Sequence, residues 1–158
     1  MGIPRIEEAR QLGDYVSSFY GAIQETDGMT FVLASTGKPH AGVRIDYAAL
    51  AMGRRHRLSF VFQKTFGSIC RMGGHMQMAR DIVVRIDGRI VEGDWHNGVV
   101  YPDDLEEHTL TVDFTVFSEY VPGANNFLYV QPNRSVECDT YRPYVAMMTD
   151  LDLDILPW

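Results

Sequence analysis

Apolar and polar positions alternate most cleanly in the second half of the chain. From Thr109 to Val121, Leu110, Val112, Phe114, Val116 and Tyr120 fall on one side and Thr111, Asp113, Thr115 and Glu119 on the other. A period of two over this length predicts one long strand with a dry face and a wet face. The same alternation returns in Asp150-Leu151-Asp152-Leu153-Asp154-Ile155, just ahead of Leu156-Pro157-Trp158. Here three carboxylates lie opposite three aliphatic groups. Leaving such side chains in water costs roughly 1.5–3 kcal/mol each, so the tail is expected to dock on something.

Between these strands and the N-terminus the pattern is punctuated by turns. Ile82–Ile86 and Arg89–Asp94 flank Asp87-Gly88, a dipeptide suited to the positive φ angles of a type I′ hairpin, with Val84 facing Val91. Asn97-Gly98 predicts a second hairpin pairing Trp95 with Val100, and hence a three-stranded meander. Met29–Ser35, Leu58–Gln63 and Phe127–Gln131 are β-branched or aromatic enough to read as further strands, while Ser135–Met148 has no clean period.

A different period opens the chain. Ile6, Ala9, Leu12, Val16, Phe19 and Ile23 recur at spacings of three and four behind Pro4, Glu7 and Glu8, and predict an amphipathic helix that stops at Asp27-Gly28. Asp46–Gly53 predicts a short internal helix with Asp46 as its N-cap. The expected fold is therefore α+β: a predominantly antiparallel sheet, as a meander or a sandwich- or barrel-like form, with an N-terminal helix and one short internal helix. No linker, repeat or low-complexity stretch divides residues 1–158, so one domain is expected.

Composition narrows the functions. The chain carries 21 acidic against 14 basic side chains, a formal charge of -7. That field opposes phosphate backbones, and nucleic acid is an unfavoured partner. Two cysteines, Cys70 and Cys138, are too few for a disulfide-built scaffold, and with no secretory leader they suggest free thiols in a reducing compartment. The cytoplasm, or a virus or phage particle, fits that expectation. No uninterrupted apolar span predicts a membrane crossing, and no motif calls for a cofactor or metal.

The chemistry-bearing residues are scattered. Gly67–His75 brings three glycines together with Arg71, Cys70 and His75, the ingredients of a small-molecule loop. Asp94 and His96 stand two apart, as a carboxylate and an imidazole on one face of a strand would. His75, His96, Asp94 and Cys70 are thus the candidates for acid–base work in a pocket enzyme such as an isomerase, cyclase or hydrolase. Arg54, Arg55 and Arg57 form the one basic cluster, suited to a helix C-terminus or an acidic partner. Without a nucleotide, metal or nucleophile signature, the first expectation is an assembly subunit of the virus- or phage-particle type. It would meet copies of itself or other proteins through Leu151, Leu153, Ile155 and Trp158. The alternatives are the pocket enzyme, with a small-molecule ligand, and a noncatalytic protein-binding module.

Overall fold

The computed structural model describes residues 12, 15–19, 22–34, 41–119, 123, 126–134 and 143–157. Twelve strands make up two antiparallel sheets. The five-stranded sheet runs β1 (Val16–Phe19), β4 (Gly42–Asp46), β11 (Phe127–Pro132), β6 (Arg71–His75), β9 (Val99–Val100). The seven-stranded sheet runs β2 (Ile23–Gln24), β3 (Phe31–Ala34), β12 (Tyr144–Ile155), β5 (Arg55–Gly67), β10 (Glu107–Val116), β7 (Ala79–Ile86), β8 (Arg89–Val91).

Alternation along the strands builds the core. In β5, His56, Leu58, Phe60, Phe62 and Lys64 are buried while Arg55, Arg57, Ser59, Val61 and Gln63 lie less deep. In β10, Leu110, Val112, Phe114 and Val116 are buried as their period predicts. These residues share one cluster with Val43, Ile45, Met72, Leu128 and Val130 of the other sheet. The two inner faces pack on each other as a β-sandwich. The Asp87-Gly88 hairpin forms with Val84 opposite Val91, and both turn residues have positive φ, 52° and 81°.

The helical expectation is overturned. Val16–Phe19 and Ile23–Gln24 are strands, and the apolar stripe splits, with Val16 buried and Ile23 exposed. Residues 1–11 of the expected helix lie outside the described residues. Val-Ser-Ser-Phe is a sequence of weak helix formers, and pairing of Val16 with Ile45 across β1 and β4 outweighs a periodicity of six positions. The internal helix shrinks to a single 3-10 turn, Tyr47–Ala49. Asp46 does cap it, accepting the Ala48 N–H at 2.8 Å. Residues 47–54 carry the chain from one sheet to the other, which leaves no room for a longer helix.

The second expected hairpin is also absent. Asn97-Gly98 ends a turn, and β9 pairs with β6 of the five-stranded sheet, so Trp95 does not pair with Val100. The meander is therefore a single hairpin followed by a crossing between sheets. The tail strand is the end of β12, which lies between β3 and β5. Asp150 adopts a φ of 54° where the β12–β5 register shifts. This bulge moves the inward phase from Tyr144, Ala146 and Met148 to Leu151, Leu153 and Ile155.

Candidate functional site

The register of the five-stranded sheet aligns His75, Tyr129, Arg44 and Ser17 as cross-strand neighbours in one row. Their chain neighbours Val130, Val43 and Val16 are buried, so this row faces away from the core. Phe127, two residues before Tyr129, shares that face. The result is a strip of rings and cations across the middle strands.

The rings pack tightly along the strip. Tyr129 and His75 lie nearly parallel, with centroids 5.4 Å apart and planes 9° apart. Phe127 leans on Tyr129 at 6.0 Å. The Arg44 guanidinium carbon sits 4.1 Å from the Phe127 centroid, and that of Arg134 sits 5.3 Å from the Tyr129 centroid. Both are within cation–π range. Arg134 also donates from Nε to the His96 carbonyl at 2.6 Å and from Nη1 to the Tyr129 Oη at 2.8 Å.

His96 reaches the strip because β6 carries Gly73-Gly74. A Cβ on Gly73 would stand 2.5 Å from the Trp95 carbonyl oxygen, and one on Gly74 would stand 2.0 Å from the Tyr129 carbonyl oxygen. Without those carbons the Asp94–Gly98 turn lies against β6, and the His96 ring meets His75 edge-on at 6.4 Å. The glycines thus serve close packing of a strand, where a ligand-cradling loop was expected. Burial lowers the pKa of His75, and the neighbouring Arg134 and His96 lower it further, against a hydrogen bond with Gln77 that raises it.

Three of the four acid–base candidates therefore do converge. His75 and His96 touch, and Asp94 Oδ1 lies 3.4 Å from His96 Nδ1. Asp94 also accepts the His96 N–H and the Asn97 side-chain amide, which ties its own turn. Cys70 is different. It is held in a disulfide, and Cys138 lies outside the described residues. The free thiol expected at Cys70 is not found, and Cys70 is no nucleophile in this state.

The remaining predicted residues lie elsewhere. Arg55 and Arg57 stand on the seven-stranded sheet, where Arg57 forks onto Asp113 at 2.7 and 2.8 Å and Arg85 joins at 3.2 Å. Arg54 donates to the Leu156 carbonyl at 3.0 Å. Leu151, Leu153 and Ile155 are all buried in the chain's own core or against Ala51. Their need for a second molecule, which motivated the assembly reading, is removed. Trp158 lies outside the described residues.

Arg44, Phe127, Tyr129 and Arg134 escaped the sequence reading. Each stands in the polar phase of a short strand or just past its end, and only the register shows that they meet. A shallow polar groove of about 180 Å³, lined by Tyr15, Val16, Ser17, Arg44 and Asp46, continues the strip toward β1. Among the described residues no group of three His, Cys, Asp or Glu is placed to hold a metal ion, and no helix is long and apolar enough to cross a membrane.

No protein-family pattern matches the chain, and no curated protein matches it in sequence. Similar solved structures include the binding domain of Botulinum neurotoxin DC in complex with SialylT, at 10% identity and a TM-score of 0.44 over 90% of this chain and 43% of that one. The N-terminal cellulose-binding domain of Cellulomonas fimi β-1,4-glucanase C is similar at 14% identity and 0.42, covering 91% and 89%. The tripod from the baseplate of bacteriophage Tuc2009 follows at 9% and 0.38, covering 91% and 57%. The chain spans less than half the length of the toxin chain. At such TM-scores function has to be argued from the face itself.

Proposed function

We propose that this protein is a noncatalytic binding module that takes its ligand on the outer face of the five-stranded sheet. The observation that carries the reading is the strip itself: Phe127, Tyr129 and His75 packed ring to ring, with Arg44, Arg134 and His96 around them. Half-buried aromatic and arginine side chains held in fixed positions are the groups that dominate recognition surfaces, because little side-chain freedom is lost when they bind. The strip lies on the outward face of the five-stranded sheet. A pocket enzyme would need its acid–base groups enclosed and a nucleophile or base freed for reaction. Here His96 and Asp94 are engaged in their turn and Cys70 in its disulfide.

The test is retention on immobilised polymers: polygalacturonate, xylan, cellulose, heparin and polyglutamate. The wild type is expected to be held by at least one of them, and Phe127→Ala/Tyr129→Ala to pass through unretarded while unfolding within a few degrees of the wild type. Equal retention of a folded double variant would place the binding surface elsewhere and reject the reading.

A further inference from the structure

We infer that the ligand of this face is an acidic saccharide, with its carboxylate or sulfate groups met by Arg44 and Arg134. The inference rests on the binding-module reading above and adds the chemical class of what is bound.

Charge is the first argument. Against a chain-wide excess of acidic groups, 21 to 14, this face carries two permanent cations, Arg44 and Arg134, with the carboxylates Asp46 and Asp94 at its ends. Among the described residues no carboxylate pairs with Arg44, whose guanidinium lies over the Phe127 ring, and none pairs with Arg134. Asp46, beside Arg44 in the groove, spends Oδ1 on the Ala48 N–H. Two guanidinium groups fixed over rings are pre-organised for planar oxyanions.

Position in the sheet is the second. The strip stands on β11 and β6, which have neighbours on both sides. β11 is paired on both sides, β6 is flanked by β9 at Arg71–Met72, and Gly74 donates to the Trp95 carbonyl, which leaves little backbone there for a peptide to add as a strand. The face carries little exposed aliphatic surface of the kind that a large protein interface buries. Of the large apolar side chains exposed among the described residues, only Val100, on the edge strand β9, belongs to this sheet. What the face offers is side-chain hydrogen bonding over two inter-strand steps, about 10 Å from Arg44 to His75, which is the reach of a short oligosaccharide. Ser17 in the groove adds a hydroxyl.

Calorimetry on the full chain, at low and moderate salt, decides it. The probes are trigalacturonate, its methyl ester, a heparin-derived tetrasaccharide and a polyglutamate peptide. The expected result is that trigalacturonate or the sulfated tetrasaccharide binds at least about tenfold tighter than the neutral ester. Arg44→Gln should then abolish that difference without altering the melting temperature. If ester and acid bind equally, the acidic class is wrong while the binding face stands. If only polyglutamate binds, the ligand is an acidic protein segment and the inference fails. If none of the four binds and the polymers above are not retained either, both readings fall.

Discussion

Tyr129 and His75 are direct partners across β11 and β6, and their rings lie face to face at 5.4 Å. The Tyr129 hydroxyl accepts from Arg134 on the other side of the contact, so one side chain fixes both a ring and a cation. Replacing Tyr129 by Phe keeps the stack and removes that acceptor. Binding to the preferred saccharide is expected to weaken by about threefold to tenfold, in line with the loss of one hydrogen bond to a charged group. Stability should change little. Parallel calorimetric titrations and melting curves of Tyr129→Phe and the wild type check both halves.

Gly74 governs how closely β6 approaches β11. Its Ala variant puts a carbon 2.0 Å from the Tyr129 carbonyl oxygen and 2.8 Å from the Trp95 indole nitrogen, where neither backbone nor buried ring can yield cheaply. Gly74→Ala is expected to cost about 3 kcal/mol of stability and to weaken ligand binding together with it. Urea unfolding measures the first effect. Gly88→Ala, at a site where nothing lies within 4 Å but φ is 81°, should cost only about 1 kcal/mol and spare binding.

Asp113 anchors the opposite sheet. It is almost fully buried and receives Arg57 twice, with Arg85 at 3.2 Å and Arg55 at 4.0 Å. Burial alone would raise its pKa, but the Arg57 hydrogen bonds and the charges of Arg57, Arg55 and Arg85 outweigh that and hold it below the usual carboxylate value. Asp113→Asn leaves three arginines around a neutral amide and is expected to lose about 2–4 kcal/mol. Denaturant titration of the single variant and of Asp113→Asn/Arg57→Gln shows whether the loss is partly recovered when the closest charge is removed as well.

Two histidines should shape the pH dependence of stability from opposite sides. His56 is wholly buried and stacked on Phe114 at 5.4 Å. Its Nε2 accepts the Ala51 N–H, so Nδ1 carries the proton donated to the Arg54 carbonyl and the ring is neutral. Burial pushes its pKa down to about 4 from 6.5. The unfolded chain therefore binds the extra proton below pH 6.5, and stability falls between there and pH 4 by up to about 3 kcal/mol. His56→Gln should be less stable at pH 7 yet show a flatter profile over that window.

His108 works the other way. Its two ring nitrogens meet Asp87 at 2.7 Å and Asp104 at 2.8 Å. Burial opposes the charge, but the two carboxylates prevail and raise its pKa. The folded state holds this proton more tightly, so the stabilisation is complete below the unfolded value near 6.5 and disappears as pH rises through the raised folded value. Melting temperatures of His108→Gln and the wild type should differ most at pH 5 to 6 and converge at alkaline pH.

What the sequence revealed depended on how far each signal is local. The β10 alternation and the Asp87-Gly88 turn are short-range: the hairpin forms as read, and the alternation forms a strand that stops at Val116, short of the expected Val121, with Asp113 buried on the side expected to be wet. The tail strand was legible too, but β5 beside it and the core residues among which its apolar side is buried lie far away in the chain, so that side looked in need of a second molecule. A one-residue bulge at Asp150 hid the continuity with Tyr144–Met148. At the N-terminus a helical spacing was matched by chance in residues whose strand pairing with β4 prevails. Of the site, His75 and His96 could be singled out because histidines are few. Arg44 and Tyr129 become neighbours only through a register no local pattern encodes.

The most direct test is to map the bound ligand onto the sheets by amide chemical shifts in a trigalacturonate titration. The prediction is that the resonances that move belong to β4, β11, β6 and the Asp94–Gly98 turn, with those of β12, β5 and β10 unchanged. Shifts confined to the seven-stranded sheet, or to the β7–β8 hairpin, would contradict the assignment of the binding face.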